Sequence, residues 1–583
     1  MASLNSYGKV NEADQERLVA RRKTRKRITI IGLSSIVLVA VIVAAVVGAT
    51  QSKNGSKSAV NDNQSLSISS SIKAACSVTL YPDSCYNSLS PLVKSGNVKP
   101  QDIFELSVQV ALNELAKVSE AFTENGGFQR LNITDNKMAL AAFESCQELL
   151  SLALDHLNCS LTKSGNTSFD AFDDLRTWLS SAGTYQQTCI DGFEAAALPG
   201  LNSYLTDKLK NSTEFTSNSL AIVSSLESYA ESISNLGAVG RRRLMGNSFN
   251  YEGGPTWLSS VDRKLLETKT KQINADVVVA KDGSGKYKTI GAALKAVPEK
   301  SDERFVIYVK KGIYVENVRI EKNMWNVMMI GDGKSATIVS GRLNFVDGTP
   351  TYKSATFAVI GKGFIARDMG FQNTAGAAKH QAVALMSAAD HSVFYRCSMD
   401  AFQDTLYTIS NRQFYRECSI YGTVDFIFGN SAVVIQNCNI APKKPMRGQQ
   451  NTITAQGKID PNQNTGISIQ NCTVWPSANL TGFQTFLGRP WKNYSTTVYM
   501  QNMMGSFIDP NGWLPWVGTT APDTIYYVEY QNFGPGALNK NRVNWKGLKL
   551  NLKAKQVGKF SVKSFISGNK WLPAAGVSYN PSV

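Results

Sequence analysis

At 583 residues the chain is too long for one ordinary domain, and its composition points to globular material: three or four folding units, or two plus an extended repeat. Lys and Arg number 61 against 45 Asp and Glu, a net charge of +16 that suits attraction to a polyanion. Charge alone does not choose between nucleic acid, acidic lipid and acidic polysaccharide.

The chain opens with a basic leader over 1–27, in which Arg21, Arg22, Lys23, Arg25, Lys26 and Arg27 stand together. The next 22 residues, Ile28 to Ala49, carry Thr29, Ser34 and Ser35 as their only polar side chains. That length can span a bilayer, so 28–49 is expected to be a transmembrane signal anchor or a signal sequence. By the positive-inside rule the leader stays cytosolic and everything after Ala49 is exported. Asn-x-Ser/Thr sequons at Asn54, Asn63, Asn132, Asn158, Asn166, Asn211, Asn471, Asn479 and Asn493 fit an exported glycoprotein. The nine cysteines include no CxxC pair, which favours disulfides over a zinc ribbon.

After a linker over 50–69, apolar residues from 70 to 230 follow helical spacing. Phe104, Val108, Ala111, Leu115, Val118 and Phe122 form one stripe, and Ala142, Cys146, Leu149, Ala153 and Leu157 a second. Phe172, Leu175, Leu179, Ala182, Cys189 and Phe193 form a third with one register gap. Several such helices imply an all-α bundle with no chemistry of its own. His156, its only histidine, has no evident partner motif.

Cys76 and Cys85, Asp174-Leu-Arg-Thr-Trp178 and Thr184-Tyr-Gln-Gln-Thr-Cys189-Ile-Asp-Gly-Phe193 resemble the plant invertase and pectin methylesterase inhibitor family. The resemblance implies a four-helix bundle with an N-terminal helical hairpin and disulfides Cys76–Cys85 and Cys146–Cys189. Cys159 is then left over. A linker over 231–267 follows, with basic clusters at Arg241–Arg243 and Arg263-Lys264 that suit a processing protease.

From 268 to 583 the pattern changes to short β-rich runs such as Phe305–Val309, Val327–Ile330 and Ala432–Ile435, with no helices between them. Cys397, Cys418, Cys438 and Cys472 end similar strings at intervals of 21, 20 and 34 residues. A period near 20 made only of strands predicts a parallel β-helix, with a coil plus an insertion around Met446 to Asn464 in the long interval. Stacking puts Cys418 against Cys438 within disulfide reach, with Cys397 and Cys472 as the remaining pair.

Asp404 and Asp425 are also 21 residues apart. One coil apart they sit side by side at the inter-strand spacing of ~4.8 Å. Two carboxylates so close do not both ionise readily, so one holds a proton while the other stays anionic. An acid beside a nucleophile serves ester hydrolysis, and the geometry alone also allows a glycosidase or lyase.

Four segments narrow this: His380-Gln381-Ala-Val-Ala-Leu385, Gln403-Asp404-Thr-Leu-Tyr407, Gly422-Thr-Val-Asp425-Phe-Ile-Phe-Gly429 and Leu487-Gly-Arg489-Pro-Trp491. They resemble, in order, the signatures of the pectin methylesterases, over about 300 residues from Ala275 to near Ser578. The resemblance implies a right-handed parallel β-helix with an open cleft, methyl-esterified homogalacturonan as substrate, and secretion to the cell wall. It gives Asp425 the role of nucleophile, Asp404 of proton donor and base, Gln403 and Gln381 of transition-state and oxyanion stabilisers, and Arg489 of orienting Asp425. Thr351, Gln381, Arg489 and Trp491 match substrate-contacting positions. Ala401-Phe402 and Met386 depart from the common Gly-Tyr and Arg, which bears on subsite preference. No metal or cofactor and no nucleic-acid partner is expected, and no Gly-x-Ser-x-Gly or His-Glu-x-x-His occurs. The competing expectation is a catalytically weak wall-binding or inhibitor protein, against which the intact carboxylate pair argues.

Overall fold

The computed structural model describes residues 69–93, 99–123, 136–164, 169–195, 199–238 and 274–583. The leader, the apolar run Ile28 to Ala49, the sequons at Asn54, Asn63, Asn132 and Asn166, and both basic clusters lie outside the described residues. Among the described residues no helix is long and apolar enough to cross a membrane.

The chain divides into two compact units at Ile103. The first holds a helical segment over 69–76 and α1 (Pro82–Leu89), joined by the Cys76–Cys85 disulfide. Proline at the first turn of α1 costs nothing there, because that N–H has no helical acceptor.

In the second unit, from Phe104 on, the remaining helices and the β-rich half fold together. The helices are α2 (Pro100–Thr123), whose first residues precede the break, α3 (Lys137–Lys163), α4 (Phe169–Ala195) and α5 (Pro199–Ala238). The α3 start is fixed by Asn136, whose side chain accepts from the Ala139 N–H. Stripe residues Ala142, Cys146, Leu149, Ala153 and Leu157 are all buried, as are Leu175, Leu179, Ala182, Cys189 and Phe193. Each large apolar side chain so buried contributes about 1.5–3 kcal/mol. The Cys146–Cys189 disulfide ties α3 to α4. The register gap in α4 is occupied by Tyr185, fully buried, whose hydroxyl accepts from Ser410 Oγ at 2.8 Å in the β-rich half.

That half is a parallel β-helix of three sheets with eleven, seven and eight strands. Each coil gives a strand to each sheet in turn, so successive coils pair in register, as Phe414 with Val434 and Ser419 with Asn439 do. One corner repeats a left-handed residue immediately before each stacked cysteine: Arg396, Glu417, Asn437 and Asn471, with φ between 52 and 55°. The interior is lined by stacked apolar side chains, including Phe394 over Tyr415 with centroids 4.8 Å apart. The outer face of the eleven-stranded sheet is covered by a C-terminal segment through Val562, Ile566, Trp571 and Leu572.

Two expectations need correction. The interval from Cys438 to Cys472 is one coil with two lengthened turns, 443–450 and 457–465, and strand Asn451–Gln456 runs between them. The insertion expected at Met446 to Asn464 is therefore split by a strand of the stack. Cys418 and Cys438 form no disulfide, nor do Cys397 and Cys472; all four are buried free thiols. Their neighbours pair Ser398–Ser419–Asn439–Thr473, which places the four cysteines in one ladder. In-register parallel side chains point the same way at ~4.8 Å, whereas a disulfide draws its Cβ atoms to about 3.8 Å with the side chains converging. Cys397 and Cys472 stand at opposite ends of the ladder. Cys159 is a free, exposed thiol.

Candidate active site

The seven-stranded sheet carries the site. In chain order its strands are β1 (Val318–Ile320), β2 (Phe357–Val359), β3 (Leu385–Ser387), β4 (Leu406–Thr408), β5 (Ile427–Gly429), β6 (Asn451–Gln456) and β7 (Thr485–Gly488). Register aligns Arg319, Ala358, Met386, Tyr407, Phe428 and Ala455 in one row across the strands.

Asp404 and Asp425 lead into β4 and β5, one coil apart, and the Asp404 N–H donates to the Val424 carbonyl at 3.1 Å. Both have left-handed backbones, φ 62° and 51°, uncommon for a residue with a side chain and a mark of a site held by its surroundings. Gly429, closing the Asp425 segment with φ 126°, is required by close approach: a Cβ there would stand 2.1 Å from the Thr408 carbonyl oxygen.

The two carboxylates have different surroundings. Asp425 accepts from Arg489 Nε at 2.8 Å and Nη2 at 2.6 Å, a two-point grip, and from Thr452 Oγ at 2.6 Å. Thr452 Oγ in turn accepts from the Asp425 N–H at 2.8 Å. Among the described residues no protein group hydrogen-bonds the Asp404 carboxyl. Burial, and next the charge of Asp425, push the Asp404 carboxyl well above the ordinary carboxylate range, with Arg489 opposing. Asp404 is thus a carboxyl biased toward its protonated form, beside a carboxyl group gripped by Arg489.

Gln381 and Gln403 bridge neighbouring coils at the entrances to β3 and β4, half-buried, and neither amide is committed to another protein group among the described residues. Thr351 opens a short 3-10 turn whose Ser354 accepts from the Val383 N–H at 3.2 Å, so its connection to the site runs through the strand after Gln381. Trp491 lies 6.2 Å from Phe428, which stacks on Tyr407 at 4.2 Å. Thr452 and Trp516 are site residues that the sequence reading missed. Trp516 sits under the Arg489 guanidinium at 4.3 Å and 6.5 Å from Trp491. Thr452 is 27 residues from Asp425 rather than 20 or 21, so a fixed period does not find it.

The bundle sits on this sheet. Asp191 pairs with Lys492 at 2.7 Å, and Thr184, Gln187 and Thr188 line a narrow gap with Tyr407 and Trp491. Farther along, Asn411 accepts from Ser181 at 2.9 Å and faces the half-buried His156 at 3.2 Å. His156, with no partner motif in the sequence, is an interface residue.

A parallel β-helix that sets a buried acid beside a carboxylate gripped by an arginine, with tryptophans next to the pair, has the makings of a hydrolase. A pectinesterase family model matches residues 276–569, and the plant invertase/pectin methylesterase inhibitor model matches residues 70–222. The chain is 55% identical to probable pectinesterase/pectinesterase inhibitor 46 of Arabidopsis thaliana, across 99% of this chain and 100% of that one. It is 48% identical to pectinesterase 3 of Phaseolus vulgaris, across 100% and 99%. The solved pectin methylesterase from carrot superposes with a TM-score of 0.53 at 51% identity, covering 53% of this chain and 99% of that one. The chain belongs to the pectinesterase family: it is a carboxylic ester hydrolase acting on pectin, with an inhibitor-family domain ahead of the enzyme.

Proposed function

We propose that methyl esters of galacturonate are cleaved by Asp425 and Asp404 through an acyl intermediate. Asp425, gripped and aimed by Arg489 and Thr452, attacks the ester carbonyl carbon. The carbonyl electrons move to oxygen, where Gln381 and Gln403 amides donate; one such donor is worth roughly 3 kcal/mol in other enzymes. Collapse expels methanol with the Asp404 proton and leaves an acid anhydride on Asp425. Asp404, now anionic, takes a proton from water, which adds to the acyl carbon and frees the galacturonate carboxylate. Trp491 and Trp516 supply flat faces for sugar rings, and Thr351 a hydrogen-bonding group at the groove's edge. The observation that carries the assignment is the asymmetry of the pair: three hydrogen bonds on Asp425 and none on a protonated Asp404.

In the same reading the bundle restrains the enzyme in cis, because α4 lies over Tyr407 and beside Trp491. The precursor travels the secretory pathway membrane by its apolar run, is glycosylated there, and is cut at the basic clusters to free the enzyme into the wall. The decisive assay is methanol release from methylated pectin by residues 268–583; the solved carrot enzyme is matched over 99% of its length by 53% of this chain. Release without chain shortening, lost in Asp425→Asn, is expected; a folded Asp425→Asn protein with unaltered rates would sink the mechanism.

A further inference from the structure

The bundle meets the site sheet through carboxylates placed on cations, and one of these contacts has a composition of its own. Glu148 on α3 accepts from Lys353 Nζ at 2.7 Å and from Tyr352 Oη at 3.0 Å, and it also pairs with Arg319. Lys353 follows Thr351 by two residues in the 3-10 turn at the groove's edge. Arg319 is the first member of the row that continues through Met386 and Tyr407 to Phe428, three strands from the coil of Asp404. The cluster therefore lies on the path a polymer follows when it crosses the strands at the catalytic pair.

Removing Glu148 leaves a defined charge imbalance. Arg319 retains Glu321, 3.3 Å from its Nε. Lys353 retains no ion partner among the described residues, since Glu148 is its only one. What remains is an ammonium without a close ion partner, with Glu144 and Glu321 acting on it at longer range, and a phenol hydroxyl, both within reach of the former carboxylate position. A carboxylate pairs its charge with the ammonium and accepts from the phenol, whereas a methyl ester offers only a neutral carbonyl and leaves the ammonium's charge unmatched. Nearer the middle of the sheet a bundle carboxylate again sits on a cation, Asp191 on Lys492 beside Trp491.

We propose that Lys353, with Tyr352 and Arg319, forms a subsite for the free carboxylate of an already de-esterified galacturonate, and that Glu148 occupies it in the full chain. This rests on the pectin-binding groove assigned above and adds what the groove selects: a substrate whose far end has lost its ester. It also makes de-esterified product a competitor of the bundle for one position.

The test uses the full chain with unesterified trigalacturonate as probe and its fully methylated counterpart as control, with binding measured by calorimetry. Glu148→Ala is expected to bind the unesterified trimer at least tenfold more tightly than wild type, with little change for the methylated one. Adding Lys353→Gln should cancel the gain, and adding Lys353→Arg should retain most of it. If Glu148→Ala gains nothing, or if Lys353→Gln leaves the gain in place, the subsite is overturned. Failure of the catalytic assignment would look different: the trimer would bind as described while no methanol came from any ester. A fold check by the Tyr and Trp near-ultraviolet dichroism accompanies each variant.

Discussion

Asp404 is buried without a hydrogen-bonded partner among the described residues, and its carboxyl is pushed up chiefly by that burial and then by Asp425. The sign of the consequence is fixed. The folded state holds the proton more tightly than the unfolded chain, so the contribution to stability is whole below the ordinary value of 3.8 and is lost as pH rises through the folded value. Asp404→Asn deletes that loss. It should abolish methanol release and yet raise the apparent Tm at pH 7 by roughly 2–4 °C, with the gain vanishing below about pH 3.8. A variant less stable at pH 7 would contradict the protonated acid. In wild type, kcat/KM should fall as pH rises past the Asp404 value, because the step that expels methanol needs its proton. Thr452→Val removes a hydrogen bond to an ionised group, worth about 1.5–3 kcal/mol, and strands the Asp425 N–H. A kcat at least tenfold lower with nearly unchanged KM is expected, with Thr452→Ser close to wild type. Asp404 and Asp425 were legible from their spacing because both lead into strands on equal coils. Thr452 and Trp516 were not, because the turns before β6 and after β7 have lengths of their own.

At the scale of elements, the repeat announced the β-helix and helical periodicity announced the bundle, since both patterns are local. The cysteine ladder shows where periodicity misleads. Equal spacing established that Cys418 and Cys438 are neighbours, but the pairing of parallel strands sets their side chains alongside each other rather than facing, and only the register supplies that. The chain therefore contains two disulfides and five free thiols, of which Cys159 alone is exposed. Alkylation of the native protein should modify Cys159 only, and unfolding in guanidinium without reductant should expose four more thiols. Two more instead of four would restore one disulfide brace and refute the ladder of free thiols. The α4 register gap has a comparable lesson: a buried Tyr185 is not an error of amphipathicity but the point where the helix meets a second surface, through Ser410.

At the scale of the whole molecule, neither the seating of the bundle nor its partners was legible, because each contact joins residues at least 167 positions apart and no local pattern encodes it. The contacts are of two kinds that respond differently to salt. Asp155–Lys322 is about half exposed on both sides, and Asp173–Lys570 is also open to water; such pairs are worth 0–1 kcal/mol and are screened at a Debye length near 3 Å in about 1 M salt. Arg412, by contrast, is buried between Asp174 and Asp390, and the Tyr185–Ser410 and Ser181–Asn411 bonds are buried as well, so salt leaves these contacts in place. Cutting the chain at Arg241–Arg243 and Arg263-Lys264 therefore severs the enzyme from the chain ahead of it, and displacement of the seated bundle completes the release. The two fragments should elute together at low salt with little methanol release. At about 1 M salt the exposed pairs are screened but the buried contacts remain, so the fragments should still elute together and activity stay low, assayed on a short, fully methylated and therefore uncharged oligomer so that salt does not act on substrate binding. Replacing both basic clusters by Gly/Ser should keep the chain intact and its activity low at every salt concentration. Cut protein that is fully active at low salt while the bundle remains bound would show that α4 does not obstruct the groove, and the restraint in cis would have to be abandoned.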